Sequence, residues 1–193
     1  MRKNFGVKTW LCPQPVMIIA TYNEDGSANA MNAAWGGIAG YDKVFVDMSD
    51  HRTTENIART GAFTIAFADT EHIAACDYVG IVSGRDVPDK FARAGFTATK
   101  SEFVNAPIIN ELSIALECEL LKKDDEGRYI GKIINVSCDE KYLGSDGLPS
   151  LSRFTPITFD PIHNTYVALW DKIGNAFSDG KELIEATGDN ANN

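Results

Sequence analysis

The chain has 193 residues, of which 44% are hydrophobic, and it carries a formal net charge of −9 at pH 7. This length and composition fit one globular domain with a core large enough to enclose a ligand. The acidic balance argues against a general affinity for nucleic acid or for anionic membranes, because both bind basic surfaces. An anionic ligand would therefore need a local group of donors.

The sequence also predicts a compartment. No apolar run approaches the roughly 20 residues that cross a bilayer, and "MRKNFGVKTW" lacks the apolar core of a signal peptide. The four cysteines show no CxxC spacing and the three histidines lie far apart, so neither a zinc site nor a disulfide framework is predicted. We expect a cytoplasmic protein with reduced thiols and no membrane partner.

The first part of the chain has the pattern of β-strands. "VMIIATY" (16–22) is rich in β-branched residues, and the turn signal in "NEDGS" leads into "ANAMNAA", so these segments predict a β-hairpin. We interpret "WGGIAGY" (35–41) as a glycine loop. "KVFVDM" (43–48) alternates apolar and polar residues as a half-buried strand does.

Three helical segments and a strand follow. "TTENIART" (53–60) predicts a two-turn helix capped by Thr53 or Thr54, and Gly61 ends it before the strand "GAFTIAFA" (61–68). "TEHIAACDYVG" (70–80) predicts a second helix. "DVPDKFARAG" (86–95) predicts a third, capped by Asp86 and ended by Gly95. We expect these helices to cover the sheet.

The second half of the chain returns to long strands. "IALECELLKKD" and "YIGKIINVSCDEKYL" flank the turn "DEGR", "TYVALW" (165–170) is a further strand, and "GKELIEA" (180–186) a short helix. Six or seven strands with few helices favour a mainly β barrel over an alternating α/β sheet. We predict a single domain over residues 1–187 and a polar, flexible tail over 188–193.

The segment "SDHRTTENI" (49–57) could bind an anion. If a helix begins at Thr53 or Thr54, its first free N–H groups and the positive end of its dipole face whatever lies there, and Arg52 adds a fork of donors. Ser49 and the threonine hydroxyls could add further donors. The alternative is an ordinary helix cap beside a solvated arginine, and the acidic residues nearby, Asp50 and Glu55, count against a wholly anion-seeking site.

Two other segments could contact a ligand. In "NAMNAAWGG" (29–37), small residues would let a flat ring approach the backbone, with Trp35 as an aromatic surface and Asn32 as a donor and acceptor. The alternative is a barrel corner with Trp35 in the core. "SGRDVPDKF" (83–91) brings Arg85 and Lys90 near a predicted helix start, although by itself it is typical of a loop and a capped helix.

Taken together, these segments resemble a known family, the flavin reductase-like, FMN-binding split-barrel proteins of flavoredoxin type. The resemblance covers roughly residues 10 to 180 and is carried by "PVMIIAT" with "NAMNAAWGG", "S..RTTENIARTGAFTIAF", "CDYVGIVSGRDVPDKF" and "YVALWDKIGNAFSDGK", in this order. It implies a mainly β fold, a Greek-key split β-barrel with a few peripheral helices. It also implies a homodimer with FMN near the subunit interface and electron transfer between reduced nicotinamide, flavin and a further acceptor.

The resemblance extends to individual residues. It implies that one strand lies along the edge of the isoalloxazine ring, mainly through backbone groups, and that hydroxyls and a guanidinium bind the phosphate. The ring strand is Asn32, Ala33, Ala34 and Trp35, and the phosphate residues are Ser49, Arg52, Thr53 and Thr54. Lys90 is similar to a basic position that approaches the phosphate or its surroundings.

No GxGxxG fingerprint is present, so a dedicated nicotinamide site is not assigned by motif. The resemblance implies an oxidoreductase that uses NAD(P)H or a redox protein as donor, with the chemistry residing in the flavin. We assign no catalytic acid or base, and His163 and the cysteines keep structural interpretations. Two alternatives stay open: a non-catalytic FMN carrier or sensor, and a barrel that binds no cofactor.

Overall fold

The computed structural model describes residues 1–169, 171–181, 183 and 184. The strands within these residues are β1 Gln14–Pro15, β2 Met17–Tyr22, β3 Ala28–Ala33, β4 Gly36–Gly40, β5 Lys43–Asp47, β6 Ala62–Phe67, β7 Ala98–Lys100, β8 Pro107–Ile109, β9 Ile114–Lys123, β10 Arg128–Cys138, β11 Ile157–Asp160 and β12 Thr165–Ala168. The α-helices with described bounds are α1 Arg52–Thr60, α2 Ile73–Ile81 and α3 Lys90–Arg93, and a 3-10 turn covers Glu140–Tyr142.

Seven strands form one curled antiparallel sheet in the order β3-β2-β6-β9-β10-β5-β4. Its edge strands, β3 and β4, are joined by only two residues, Ala34 and Trp35. Such a short link requires the two edges to lie close together, so the sheet curls into an incompletely closed barrel. The predicted fold class, a mainly β split barrel with a few helices, is confirmed.

The core lies on both faces of this sheet. On β2, Met17 and Ile19 pack inside the barrel, whereas Ile18 and Ala20 belong to a second cluster that includes residues of α2 and α3. Successive strand residues point to opposite faces, so a strand buried on both is apolar along its length. Helices α2 and α3 therefore cover the outer face of β2 and its neighbours, as expected from the sequence, whereas α1 contributes Ile57 to the cluster inside the barrel.

The predicted glycine loop is wrong, because residues 36–40 form the edge strand β4, which pairs with β5. At Gly36 a Cβ atom would lie 2.4 Å from Cε of Met17 and 2.7 Å from the carbonyl oxygen of Phe45. The glycine is needed for this close approach rather than for a loop.

Two predicted helix starts are also wrong. Helix α1 begins at Arg52 with His51 as the N-cap residue, so Thr53 and Thr54 lie inside its first turn. Helix α3 begins only at Lys90, after Asp89, and not next to Asp86. Pro88 disfavours helical geometry in the residue before it, which separates Asp86 from the helix.

The long hairpin of β9 and β10 and the strand β12 are confirmed. A small sheet of β1, β11 and β12 lies beside the barrel. The predicted tail 188–193 lies outside the described residues, as do positions 182, 185 and 186 of the last predicted helix, 180–186; its described residues 181, 183 and 184 are helical.

Candidate functional site

A cavity of about 240 Å³ lies where α1 begins, α2 ends and the edge strand β3 passes. Four of the residues predicted to contact a ligand line it: Asn32, Arg52, Thr53 and Lys90. Four clefts of about 280, 300, 590 and 810 Å³ are larger, but none of the predicted residues lines any of them. Chemistry rather than size therefore selects the smaller cavity.

Two arginines meet at the start of α1. Arg52 lies 3.0 Å from one oxygen of Glu55, and Arg85, from the loop after α2, lies 2.6 Å from the other. All three side chains are half-exposed, so these ion pairs contribute little stability and can exchange for another anion at small cost. Arg52 lines the cavity together with Lys90, so two cationic side chains reach it in a protein that is acidic overall.

The two adjacent threonines have different surroundings. Thr53 is buried and lines the cavity, and its Oγ1 accepts a hydrogen bond of 2.9 Å from Nδ2 of Asn29. The Thr54 hydroxyl accepts from the backbone N–H of His51 at 3.0 Å and donates to its carbonyl at 2.8 Å. Thr54 therefore stabilises the helix start and does not line the cavity.

Lys90 is buried, and its Nζ donates to the carbonyls of Val79 and Val82 at 2.7 and 2.8 Å. These carbonyls belong to the C-terminal end of α2, where backbone acceptors lack helical partners and a cation is favoured. Burial lowers the pKa of Lys90 to about 8. The side chain thus caps α2 and also lines the cavity.

Asn32 connects β3 to two other elements. Its Nδ2 donates to the carbonyl of Cys76 in α2 at 3.2 Å and to the hydroxyl of Tyr166 in β12 at 3.4 Å. Tyr166 in turn donates to Asp77 at 2.8 Å, and burial together with this contact raises the pKa of Tyr166 to about 12. The Asn32 amide is therefore held firmly in place.

Along the chain from Asn32, β3 continues to the link between the barrel edges. Ala33 is buried, and Trp35 is 47% exposed with its ring centroid 6.0 Å from that of Phe159. Ala33, Ala34 and Trp35 do not line the cavity. They lie on the adjoining edge, where backbone groups on the outer side of β3 have no strand partner among the described residues.

Ser49 also lies outside the cavity lining. Its Oγ is 3.0 Å from Nε2 of His51, and it is His51 that lines the cavity. Of the four predicted phosphate residues, the structure brings Arg52 and Thr53 to the cavity directly, Ser49 only through His51, and Thr54 only through the helix start.

One wall of the cavity is formed by residues 79–84, and most of these residues were not predicted from the sequence. Two glycines permit its close approach: a Cβ at Gly80 would lie 2.8 Å from Cβ of Asn32, and one at Gly84 would lie 2.6 Å from Oδ1 of Asn29. The glycines in "GIVSG" were the available signal, since glycine often marks close backbone approach.

Comparison with known proteins identifies the family. The chain matches the family described as flavin reductase like domain over residues 10–156. This match covers most of the chain. The protein is a member of the flavin reductase like domain family.

Solved structures of similar proteins agree with this assignment. The present chain is 35% identical to the flavoredoxin of Desulfovibrio vulgaris. The two structures superpose with a TM-score of 0.89, over 93% of this chain and 100% of the flavoredoxin. The present chain is 27% identical to the flavoredoxin of Methanosarcina acetivorans, with a TM-score of 0.81 over 95% and 98% of the two chains. An FMN-binding domain of a flavin reductases-like enzyme from Shewanella baltica shares the fold at 18% identity and a TM-score of 0.71, over 83% and 89%.

Among the residues of this chain that the structure describes, no group of three or more histidine, cysteine, aspartate or glutamate side chains is placed to hold a metal ion. None of the helices found there is long and apolar enough to span a membrane.

Proposed function

We propose that this protein binds FMN and transfers hydride or electrons between a donor, either NAD(P)H or a redox protein, and flavin or another acceptor. The observation that carries the proposal is the cavity at the start of α1, where hydroxyl, guanidinium and ammonium donors converge in a flavin reductase like barrel. The family assignment and the flavoredoxin neighbours support a flavin-related redox role.

The donor set fits a phosphate ester. Arg52 offers a planar fork of N–H groups, Thr53 a hydroxyl, and the first turn of α1 its free backbone N–H groups. Lys90 adds positive charge from the opposite wall. In this proposal Ser49 acts by orienting His51, and Thr54 by holding the start of α1.

The isoalloxazine ring would lie along the edge formed by Asn32, Ala33, Ala34 and Trp35, where strand backbone groups are available for hydrogen bonds. FMN, when bound, supplies the hydride-accepting chemistry, and the protein supplies binding, orientation and exclusion of water. Arg52 would serve binding rather than proton transfer. We assign no residue of this chain as a general acid or base.

Replacing Arg52 tests the phosphate assignment. Arg52→Ala should weaken FMN binding by about 10- to 100-fold, because a hydrogen bond to a charged group contributes about 1.5–3 kcal/mol. Riboflavin, which lacks the phosphate, should bind almost as before. Flavin fluorescence titrations would measure both dissociation constants.

A matched control is Arg93→Ala, which removes an equal charge from α3, where Arg93 forms an exposed ion pair with Asp89. This variant should leave both affinities unchanged. Equal losses of FMN and riboflavin binding in Arg52→Ala would contradict the phosphate assignment.

Turnover distinguishes an enzyme from an FMN carrier or sensor. Saturable oxidation of NADH or NADPH in the presence of excess flavin supports the reductase, and the better of the two donors defines its specificity. Reduction that is only stoichiometric and needs a partner protein would favour the carrier.

A further inference from the structure

The first eleven residues, "MRKNFGVKTWL", form an arm that belongs to no strand or helix. All of them are exposed, and none makes a hydrogen bond or an ion pair with another residue that the structure describes. Four large apolar side chains of the arm are 38% to 99% exposed: Phe5, Val7, Trp10 and Leu11. Within the described part of one chain, the arm therefore lacks a surface that would bury it.

The arm nevertheless has local order. The rings of Phe5 and Trp10 pack edge to face with their centroids 5.1 Å apart, and Gly6, with a φ of 71°, bends the backbone between them. Nζ of Lys3 lies 5.3 Å from the centre of the Phe5 ring, and Nζ of Lys8 lies 5.8 Å from that of Trp10. At such distances a cation is attracted to a ring. We call these two rings and two ammonium groups the arm cluster.

Charge separates the arm from the rest of the chain. The arm contains three basic residues, Arg2, Lys3 and Lys8, and no acidic residue. The other residues of the chain include 15 basic and 27 acidic ones, which gives them a formal charge of −12 against +3 for the arm. Opposite charges attract, so the arm fits an acidic surface.

A surface beside the split in the barrel has the complementary chemistry. Trp35, Ile38 and Tyr41 are exposed there. Asp42 follows Tyr41 in the chain, and the N–H of Asp47 donates to the carbonyl of Trp35 at 2.8 Å, so both carboxylates adjoin the apolar side chains. Neither carboxylate forms an ion pair with a residue that the structure describes. We call these five residues the split patch.

The arm begins close to this patch. Strand β1, which follows the arm, contacts β4 at the split. The arm is exposed although the patch of its own chain is near, so it does not close onto that patch. In a dimer with a two-fold axis beside the split, each arm would begin next to the patch of the other copy. An extended segment of this length spans at most about 36–40 Å, which is enough to cross such an axis.

We propose that the arm of one copy docks on the split patch of a second copy, so that two copies exchange their arms. The aromatic rings of the arm cluster would pack on the apolar side chains of the patch, and its ammonium groups would pair with the two carboxylates. Basic and aromatic segments also bind anionic membranes, but the acidic remainder of the chain would be repelled from such a surface. The family resemblance implies a homodimer, and this inference names the segment that joins its copies.

Cross-linking of isotope-mixed protein tests the exchange directly. A carbodiimide joins a lysine amine to a carboxylate in contact with it, so it should link Lys3 or Lys8 to Asp42 or Asp47. Unlabelled and isotope-labelled wild-type chains are mixed and left to exchange subunits before the reaction. Cross-linked peptide pairs should then carry one label of each kind. Pairs with a single label only would place the arm on its own chain and overturn the proposal.

Charge reversal tests the complementarity. Lys3→Glu combined with Lys8→Glu should weaken association of the two copies by about 10- to 100-fold, because like charges would then face each other. Adding Asp42→Lys and Asp47→Lys to the same chain should restore most of the association. Sedimentation equilibrium would measure each dissociation constant. Restoration of none of it would contradict the pairing of the arm with this patch.

The control reverses two lysines elsewhere on the surface. Lys100→Glu with Lys122→Glu changes the net charge by the same amount on the exposed positions of β7 and β9, and it should leave the association unchanged. Because the arm makes no hydrogen bond with the described residues of its chain, the far-ultraviolet circular dichroism of the arm variant should match that of the wild type.

Three further results would overturn the proposal. The first is an arm variant that associates as tightly as the wild type. The second is a wild-type protein that stays monomeric at micromolar concentration. The third is co-sedimentation of the wild type, but not of the arm variant, with vesicles of phosphatidylglycerol and phosphatidylcholine, which would assign the arm to a membrane surface.

Discussion

Lys90 shows how one residue can serve both the fold and a binding site. Two of its donors are used by the carbonyls of Val79 and Val82, and a neutral amine could supply both. The third N–H and the positive charge exist only in the protonated form. Since burial lowers the pKa of Lys90 to about 8, both are present at neutral pH and are lost on moderate alkalinisation.

This titration predicts a pH dependence of FMN binding. Below about pH 8 Lys90 is charged and attracts the phosphate. A bound anion raises the pKa of a neighbouring ammonium. Above about pH 8, FMN binding therefore requires the free protein to take up a proton. The dissociation constant of FMN should therefore rise between about pH 8 and pH 9.5, by up to about tenfold per pH unit. Titrations at several pH values would measure it.

Riboflavin and a lysine variant are the controls for this effect. Riboflavin binding should show a much weaker dependence over the same range, since no phosphate charge is present. Lys90→Met should bind FMN more weakly at pH 7 and lose the alkaline rise. A rise of the same size in Lys90→Met would assign the effect to another group.

At the scale of elements, the site depends on α2 packing directly against β3. Gly80 in α2 faces Asn32, whose amide reaches Cys76 in the same helix and Tyr166 in β12. This contact holds the edge strand between two other elements. The position of the proposed ring edge is thus set by helix packing as well as by the sheet.

Gly80→Ala should separate these elements slightly. In an exposed helix, alanine would stabilise by about 1 kcal/mol relative to glycine, but here the new Cβ would lie 2.8 Å from Cβ of Asn32. Overpacking costs about 1–3 kcal/mol, so we expect a net fall in melting temperature and weaker binding of both FMN and riboflavin. Calorimetry and flavin titration would measure the two effects.

Gly180→Ala is the control, because no atom of the residues that the structure describes lies within 4 Å of a Cβ at that position. It should leave flavin binding unchanged. A stabilised Gly80→Ala protein with full flavin affinity would show that α2 and β3 are not tightly coupled.

At the scale of the whole molecule, ligand binding should stabilise the native state. FMN at about 100 times its dissociation constant should add about 2.7 kcal/mol. For a chain of this length that corresponds to a rise in melting temperature of roughly 5–10 °C. A thermal-shift measurement with FMN that shows no rise would favour a barrel that binds no cofactor.

We also propose that the protein is a homodimer, with its partner surface beside the split between β3 and β4. Three large side chains are exposed there, Trp35, Ile38 and Tyr41, next to an edge strand, and exposed apolar patches commonly mark interaction sites. Sedimentation should give twice the mass of the chain, and Ile38→Glu should shift it towards the monomer. A monomeric wild-type protein at micromolar concentration would contradict the proposal.

The sequence predicted features that depend on neighbouring residues in the chain, and it failed for features that depend on contacts between distant residues. The hairpins β2–β3 and β9–β10, the strand β6 after Gly61 and the family itself were predicted correctly, because alternation, turn residues and motif order are local patterns. The glycine segment 36–40 was predicted wrongly as a loop, because nothing local shows that Met17 and Phe45 crowd it from other strands.

The sequence by itself determined a β-rich barrel and a group of donors near the start of one helix. The tertiary structure decided which donors meet: it turned Thr53 towards the cavity and Thr54 towards His51, and it engaged Lys90 at the end of α2. Strand and turn patterns depend on neighbours within a few residues. The contacts of Asn29 with Thr53 and Gly84 join residues that are far apart in the chain, and only the packing of the whole fold brings them together.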